Sequence, residues 1–280
     1  MTTRRELTLG YSPCPNDTFI FHALTHGLVD SGDFYVRERL EDVETLNRLA
    51  IAGTLDLTKI SYHAFGHLRE EYCLLRSGGA LGRGCGPLVI ARRATTMDEL
   101  RGKRIAIPGQ LTTANLLLQL YGEGFDQLLI LPFDRIIAAV TSGQADAGVI
   151  IHESRFTYQE HGLVAALDLG VWWEQTTGLP LPLGGILAKR SLGGALIERV
   201  DRAIRTSIGY ACAHPHAPRS YIKRHAQELS DAVIDSHIAL YVNDFSFDLG
   251  GAGILAVTEL FRRAEERGIV PGCTLSLFAA

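Results

Sequence analysis

Several of the signatures that assign a function quickly are missing from this chain. It has no Walker A loop, no G-x-G-x-x-G, no H-E-x-x-H and no G-x-S-x-G. Dinucleotide, nucleoside-triphosphate, zincin and serine-hydrolase sites are therefore not indicated. No apolar run approaches the ~18 residues of a membrane span. Basic residues are too few for a nucleic-acid or anionic-membrane partner: 27 Lys and Arg face 31 Asp and Glu, a net charge of −4. The five cysteines, Cys14, Cys73, Cys85, Cys212 and Cys273, include no C-x-x-C pair, so no paired metal or redox site is read and a reducing compartment is expected. Arg4 and Arg5 precede Leu7–Thr8–Leu9, but this stretch falls short of the roughly 7–15 apolar residues of a signal peptide. Pro13 also stands where a lipidated Cys14 would need a small residue. No export signal is read, and the expected location is the cytoplasm.

What is present is an ordinary globular composition, 46% apolar and 21% charged over 280 residues. That is one large domain or two modest ones at ~150 residues each. Leu7–Tyr11 alternates as a strand and breaks at Ser12–Pro13–Cys14–Pro15, since prolines cannot donate to a sheet ladder. Asn16 or Asp17 then suits the N-cap of a helix over Thr18–His26. A helix from about Asp42 to Ile51, closed by Gly53, leads into a strand over Leu55–Ile60. The pattern returns at Asp134, with Gly143 closing a helix before a strand over Ala147–Ile151. In both copies Gly precedes Asp by three residues, and the strand runs out into polar side chains. These read as equivalent units of two α/β lobes, whose ligands belong at the strand exits.

Pro87–Ala91 and Leu183–Ala188 read as strands that carry the chain between lobes. Thr96-x-x-Glu99 has the capping-box spacing of a short helix that ends at Gly102. A strand over Arg104–Ile107 follows. The expected division is a discontinuous first domain, 1–91 and 188–280, around an inserted second domain, 92–187. After Ser191 the chain reads helical: Leu196–Ala213, Pro218–His225, Ser230–Tyr241 and Ala252–Arg267.

His152 follows the apolar run Val149–Ile150–Ile151 and precedes Glu153, Ser154 and Arg155. A neutral imidazole at a strand exit suits proton abstraction near pH 7; the plainer role is a capping or core histidine. Thr112–Thr113 precede a helical stretch, Ala114–Leu120, and offer either an anion site or an ordinary cap. Lys59 and Ser61 end an apolar strand as ligand contacts or as solvated, capping groups. Cys14 is either an activated thiol or a small residue packed beneath its loop. Gly78–Gly79 and Gly82-x-Gly84-x-Gly86 lead to a strand and not a helix, which suits a hinge better than a phosphate cradle. His63 and His67, an i, i+4 histidine pair, have no third ligand arranged around them, so no metal is expected.

Taken together, Gly10–Phe19 (GYSPCPNDTF), Leu40–Asn47 (LEDVETLN), Arg76–Gly84 (RSGGALGRG) and Ile150–Tyr158 (IIHESRFTY) resemble 1,4-dihydroxy-6-naphthoate synthases of the futalosine route to menaquinone. The similarity runs on through Leu179–Gly184 to Ala226–Asp231, nearly the whole chain. The resemblance implies a two-lobed, periplasmic-binding-protein-like (type II) α/β fold with the ligand in the cleft. It implies a carbon–carbon lyase without a cofactor, which converts cyclic dehypoxanthinylfutalosine to 1,4-dihydroxy-6-naphthoate and releases dihydroxyacetone. His152 is then the proton acceptor, and Lys59, Ile60, Ser61, Thr112, Thr113 and Ala114 match the family's substrate contacts. Asn16 and Asp17 are also expected in the substrate site. The expected partner is a small carboxylate, with neither nucleic acid nor membrane. Two alternatives share the fold: the chorismate dehydratase of the same pathway, and a cytoplasmic binding module without catalysis.

Overall fold

The computed structural model describes residues 4–152, 154–226 and 230–279. Glu153 and residues 227–229, which lie within quoted motifs, fall outside them. Two sheets form the framework. The first contains β1 (Arg5–Tyr11), β2 (Phe34–Leu40), β3 (Leu57–Ser61), β4 (Tyr72–Leu74) and β5 (Ala80–Gly82). The second contains β6 (Leu88–Ala91), β7 (Ile105–Ile107), β8 (Leu128–Ile130), β9 (Ala147–Ile150) and β10 (Val164–Asp168). The chain then returns to the first sheet as β11 (Leu181–Lys189). Helices α1 (Pro15–Thr25), α2 (Val43–Ile51) and α3 (Tyr62–Gly66) belong to the first lobe. The second carries α4 (Thr113–Tyr121), α5 (Ile136–Thr141), α6 (Ser154–Thr157) and α7 (Leu169–Thr177). After β11 follow α8 (Gly194–Ala213), α9 (Arg219–His225), α10 (Asp231–Tyr241), α11 (Asp244–Phe247) and α12 (Gly250–Glu266). Among the described residues no helix is long and apolar enough to cross a membrane.

The strand orders are β2-β1-β3-β11-β4 and β10-β6-β9-β7-β8. In the first sheet β3 lies between parallel β1 and antiparallel β11. In the second, β9 lies between parallel β7 and antiparallel β6. The α2–β3 and α5–β9 units read from the sequence thus occupy corresponding places in two sheets. The exits of β1, β3, β7 and β9 carry the loops that meet in the cleft, the position where open α/β sheets bind ligands.

The pairing puts both crossings earlier than the expected divisions at 91/92 and 187/188. β6 pairs with β9 and β10 of the second sheet, and β11 pairs with β3, β4 and β5 of the first. An apolar run fits either of two buried sheets equally well, so hydrophobicity alone does not say where a strand joins.

Helix α1 starts at Pro15, with Cys14 as N-cap, so Asn16 and Asp17 lie in its first turn and do not cap it. Proline at the first helical position loses nothing, because that N–H has no intrahelical acceptor. Helix α2 does start after an Asp42 cap, whose carboxylate accepts from the N–H groups of Glu44 and Thr45. Thr96 and Glu99 make the reciprocal bonds of a capping box, 3.0 and 3.3 Å, but 97–102 closes into turns without becoming a helix. Within the glycine-rich segment, Ala80–Gly82 pairs with β11 as a short strand.

Long helix α8 buries Leu196, Ile197, Val200, Ala203, Ile204 and Ile208, the i, i+3, i+4 stripe of an amphipathic helix. It packs on α1, where Ser207 Oγ donates to the Ile20 carbonyl at 2.6 Å and accepts from Leu24 N–H. Strand β3 is buried along its whole length, Lys59 included.

Gly86, at the crossing into β6, lies against Gly170 of α7. A Cβ on Gly86 would stand 2.3 Å from the Gly170 Cα and N, and backbone cannot rotate aside. Gly86→Ala should lower stability by about 1–3 kcal/mol through overpacking, read as a fall in the thermal unfolding midpoint. An unchanged midpoint would show that the crossing is looser than this contact implies.

Candidate active site

One cavity between the sheets is lined by every residue the sequence singled out as a site residue: Asn16, Asp17, Lys59, Ile60, Ser61, Thr112, Thr113, Ala114 and His152. They come from the exits of β1, β3, β7 and β9. Their chemical states differ from what residue type alone suggests.

Asp17 is the hub of the first-lobe side. Its carboxylate accepts from Ser12 N–H and Oγ at 3.2 and 2.7 Å, from Asn16 Nδ2 at 2.7 Å and from Lys59 Nζ at 2.5 Å. Lys59 is 7% exposed, so its charge is matched inside the wall by Asp17 and is not a solvated head. Because the carboxylate only accepts, Asn16 must present its amide N–H to it, which turns Asn16 Oδ1 toward His237. His237 Nε2 lies 2.9 Å from that oxygen and therefore carries the proton. Burial holds the His237 pKa well below the ordinary imidazole value, with the nearby His152 and Lys59 adding to the effect. His237 is neutral near pH 7, so Nδ1 carries no proton.

His237 and Tyr241 are cavity residues that sequence reasoning missed. The available signal was their spacing on α10, where Ile234, His237 and Tyr241 form one buried face. Cys85, a further lining residue, is held protonated by burial, its pKa pushed up to about 12.

His152 lies two residues beyond β9 with φ 56°, the one described non-glycine residue in the left-handed region. Histidine is among the side chains enriched there, and such backbone occurs where surroundings over-determine it. Its ring meets Phe133 edge-on at 5.0 Å and stacks on His237 at 6.2 Å. Cys14 Sγ is 3.5 Å from His152 Nδ1. The sequence offered no partner for this thiol because the two residues are 138 positions apart. Arg155, from the same motif, donates to the Gly86 carbonyl and pairs with Asp168 at 2.9 Å. It pins the segment after His152 to the start of β6 and the cap of α7.

On the second-lobe side, the two threonine hydroxyls are committed to the backbone. Thr112 Oγ1 donates to the Gly109 carbonyl at 2.8 Å and accepts from Asn115 N–H, the bonds of an ordinary N-cap. Thr113 Oγ1 donates to the Leu183 carbonyl at 2.5 Å. The N–H groups of Thr113 and Ala114 belong to the unpaired first turn of α4 and meet no acceptor among the described residues. What this side offers an anion is backbone N–H and helix dipole.

The His63 and His67 rings lie 5.6 Å apart. Among the described residues no three His, Cys, Asp or Glu side chains are grouped closely enough to hold an ion. His63 Nδ1 instead donates to the Thr112 carbonyl at 3.2 Å, from the first lobe to the second.

The two sheets and the cleft between them form a two-lobed fold of the periplasmic-binding-protein type. Solved structures share it: the alkanesulfonate-binding protein SsuA of Xanthomonas axonopodis pv. citri matches with TM-score 0.72 at 16% identity, over 97% of this chain and 96% of that one. A protein of Archaeoglobus fulgidus matches at 0.89 and 38% identity, over 95% and 98%. The chain belongs to the menaquinone biosynthesis family, whose model matches residues 7–266. Curated relatives called 1,4-dihydroxy-6-naphthoate synthase come from Thermus thermophilus and Streptomyces coelicolor. The first is 55% identical over 97% of this chain and 98% of its own, the second 46% over 95% of each.

Burial also lowers the His63 pKa, to about 4. Between pH 4 and 6.5 the unfolded chain therefore binds more protons at this site than the folded one. Stability is full above about pH 6.5 and falls as pH drops toward 4. The loss from His63 between pH 7 and 5 should be about 2 kcal/mol, and His237 has the same sign. Thermal unfolding across this range should show a shallower pH dependence for His63→Asn than for wild type. Parallel curves would mean that His63 is not buried in its neutral form.

Proposed function

We propose that the protein is a 1,4-dihydroxy-6-naphthoate synthase, a carbon–carbon lyase acting in the cytoplasm on cyclic dehypoxanthinylfutalosine without a cofactor. The observation that carries this reading is the convergence of His152 and the open N–H groups of α4 in one interlobe cavity. The names of the two curated relatives supply the chemistry to test there. The substrate is a carboxylate with a ring ketone and sugar hydroxyls. Its carboxylate is anchored by the N–H groups of Thr113 and Ala114, where the α4 dipole favours an anion by about 0.3–1 kcal/mol. Ser61, at the exit of β3, faces the same space, while Lys59 contributes through its pair with Asp17.

His152 then acts as general base. It removes a proton from a substrate hydroxyl; the adjacent carbon–carbon bond breaks as that carbon becomes a carbonyl. The electron pair passes to the ring ketone as an enolate, and the three-carbon fragment leaves as dihydroxyacetone. Enolate protonation and aromatisation of the new ring drive the reaction. The closed lobes exclude water and hold the reacting groups in register, contributions of several kcal/mol. Cys14, protonated or not, forms no bond to substrate in this scheme; its place is beside the imidazole.

Purified protein mixed with cyclic dehypoxanthinylfutalosine, without added metal or cofactor, should yield 1,4-dihydroxy-6-naphthoate by mass. A parallel sample with chorismate should be unchanged. Turnover of chorismate alone would identify the dehydratase of the pathway, and turnover of neither would leave a binding module. His152→Asn should lower kcat by roughly 10²–10⁴-fold with substrate affinity nearly intact. The wild-type rate should rise with pH as the imidazole loses its proton. Full activity in His152→Asn would remove the assignment. Cys14→Ser should retain substantial activity, and quenched enzyme should carry no mass adduct; a trapped thioether would overturn the non-covalent scheme.

A further inference from the structure

One contact between the lobes involves a residue outside the chemistry above. Glu44, in the first turn of α2, is 8% exposed and sends its carboxylate across the cleft. Gln110 N–H donates to Oε1 and Leu111 N–H to Oε2, each at 3.2 Å. These adjacent backbone donors immediately precede α4. On its own side, Glu44 accepts from Asn47 Nδ2 at 3.3 Å, and Arg48 Nε lies 3.5 Å away. Asn47 continues the connection into the cavity, where Ser61 N–H donates to Asn47 Oδ1 at 3.0 Å. The approach requires glycine at 109, because a Cβ there would lie 2.4 Å from Glu44 Oε2 and 2.8 Å from Glu44 Cβ.

We propose that Glu44 is the positioning residue that holds the lobes together and sets the start of α4 opposite the exit of β3. Its carboxylate fills the donor pair at 110–111 and Thr112 N–H turns back to the Gly109 carbonyl, which leaves the N–H groups of Thr113 and Ala114 as those presented to a ligand. The interaction exists only with the lobes closed, since an open cleft would give both partners to water. Bonds to an ionised acceptor are stronger than neutral ones, so Glu44 raises the closed fraction before any ligand arrives. A ligand then binds with its affinity reduced only by the remaining open fraction. Once bound, it bridges the lobes itself, so Glu44 matters for capture more than for the chemical step. The link to substrate anchoring rests on the function proposed above; the link to closure does not.

The test compares wild type with Glu44→Ala, Gly109→Ala and the double variant, each confirmed as folded by circular dichroism. Without substrate, both single variants should have a larger radius of gyration by small-angle X-ray scattering. The Gln110 and Leu111 amides should exchange with solvent at least about tenfold faster. With the naphthoate precursor, KM should rise at least about tenfold while kcat changes less than about threefold. Gly109→Ala should add less in the Glu44→Ala background than in wild type, because only the 2.8 Å approach to the Cβ at position 44 remains once the carboxylate is gone. Glu44→Gln, which keeps the shape but not the charge, should fall between wild type and Glu44→Ala and serves if alanine prevents folding. Unchanged scattering and exchange in the Glu44 variants would overturn the proposal, as would fully additive effects of the two substitutions. An equal fall in kcat with KM unchanged would overturn its substrate-anchoring part. If wild type itself turns over no precursor, the proposed function fails and the scattering and exchange still decide the role of Glu44.

Discussion

The Asp17 carboxylate, buried at the start of α1, is the interaction around which the first-lobe wall is organised. It joins the loop after β1 through Ser12, the middle of the sheet through Lys59, and α10 through Asn16 and His237. A buried ion pair gains little over a well-packed apolar replacement, but losing one partner costs roughly 3–5 kcal/mol. In the intact pair the carboxylate is fully partnered, because Ser12 and Asn16 donate to it alongside Lys59. The network also fixes directions: an acceptor-only group orients an amide, the amide orients an imidazole, and a cavity wall acquires a defined donor and acceptor pattern.

The second lobe repeats the first in strand arrangement but supplies different chemistry. Where the first gives charge-matched side chains at the exits of β1 and β3, the second gives open backbone N–H groups after β7 and the strained His152 after β9. Neither set is a site alone. Cys14 and His237 come from one lobe and His152 from the other, so the imidazole's contacts with the thiol and the second imidazole exist only when the lobes are together. The interlobe bonds from Glu44 and His63 therefore belong to the construction of the site as much as to the stability of the fold.

Thr112 and Thr113 show how local chemistry and tertiary context divide the work. A Thr pair ahead of an apolar helix is readable as a helix start, and Thr112 does cap α4. Whether those hydroxyls face a ligand is not local information. Leu183 O, which takes the Thr113 proton, comes from 70 residues away. Lys59 is the same case: its strand was legible, while the Asp17 that matches its charge is 42 positions distant.

By itself the sequence determined the helix–strand units, because the 3.6-residue period, Asp42 capping and closing glycines act within a few residues. It also determined which segments exit strands, and through its long motifs the family. The tertiary structure decided which sheet β6 and β11 join, since pairing depends on neighbours and not on an apolar run. It decided too that Cys14 lies beside His152, that His237 is a neutral member of the wall, and that Glu44 reaches the second lobe. Each depends on side chains brought together from distant segments, and desolvation there sets protonation states that no local pattern of residues encodes.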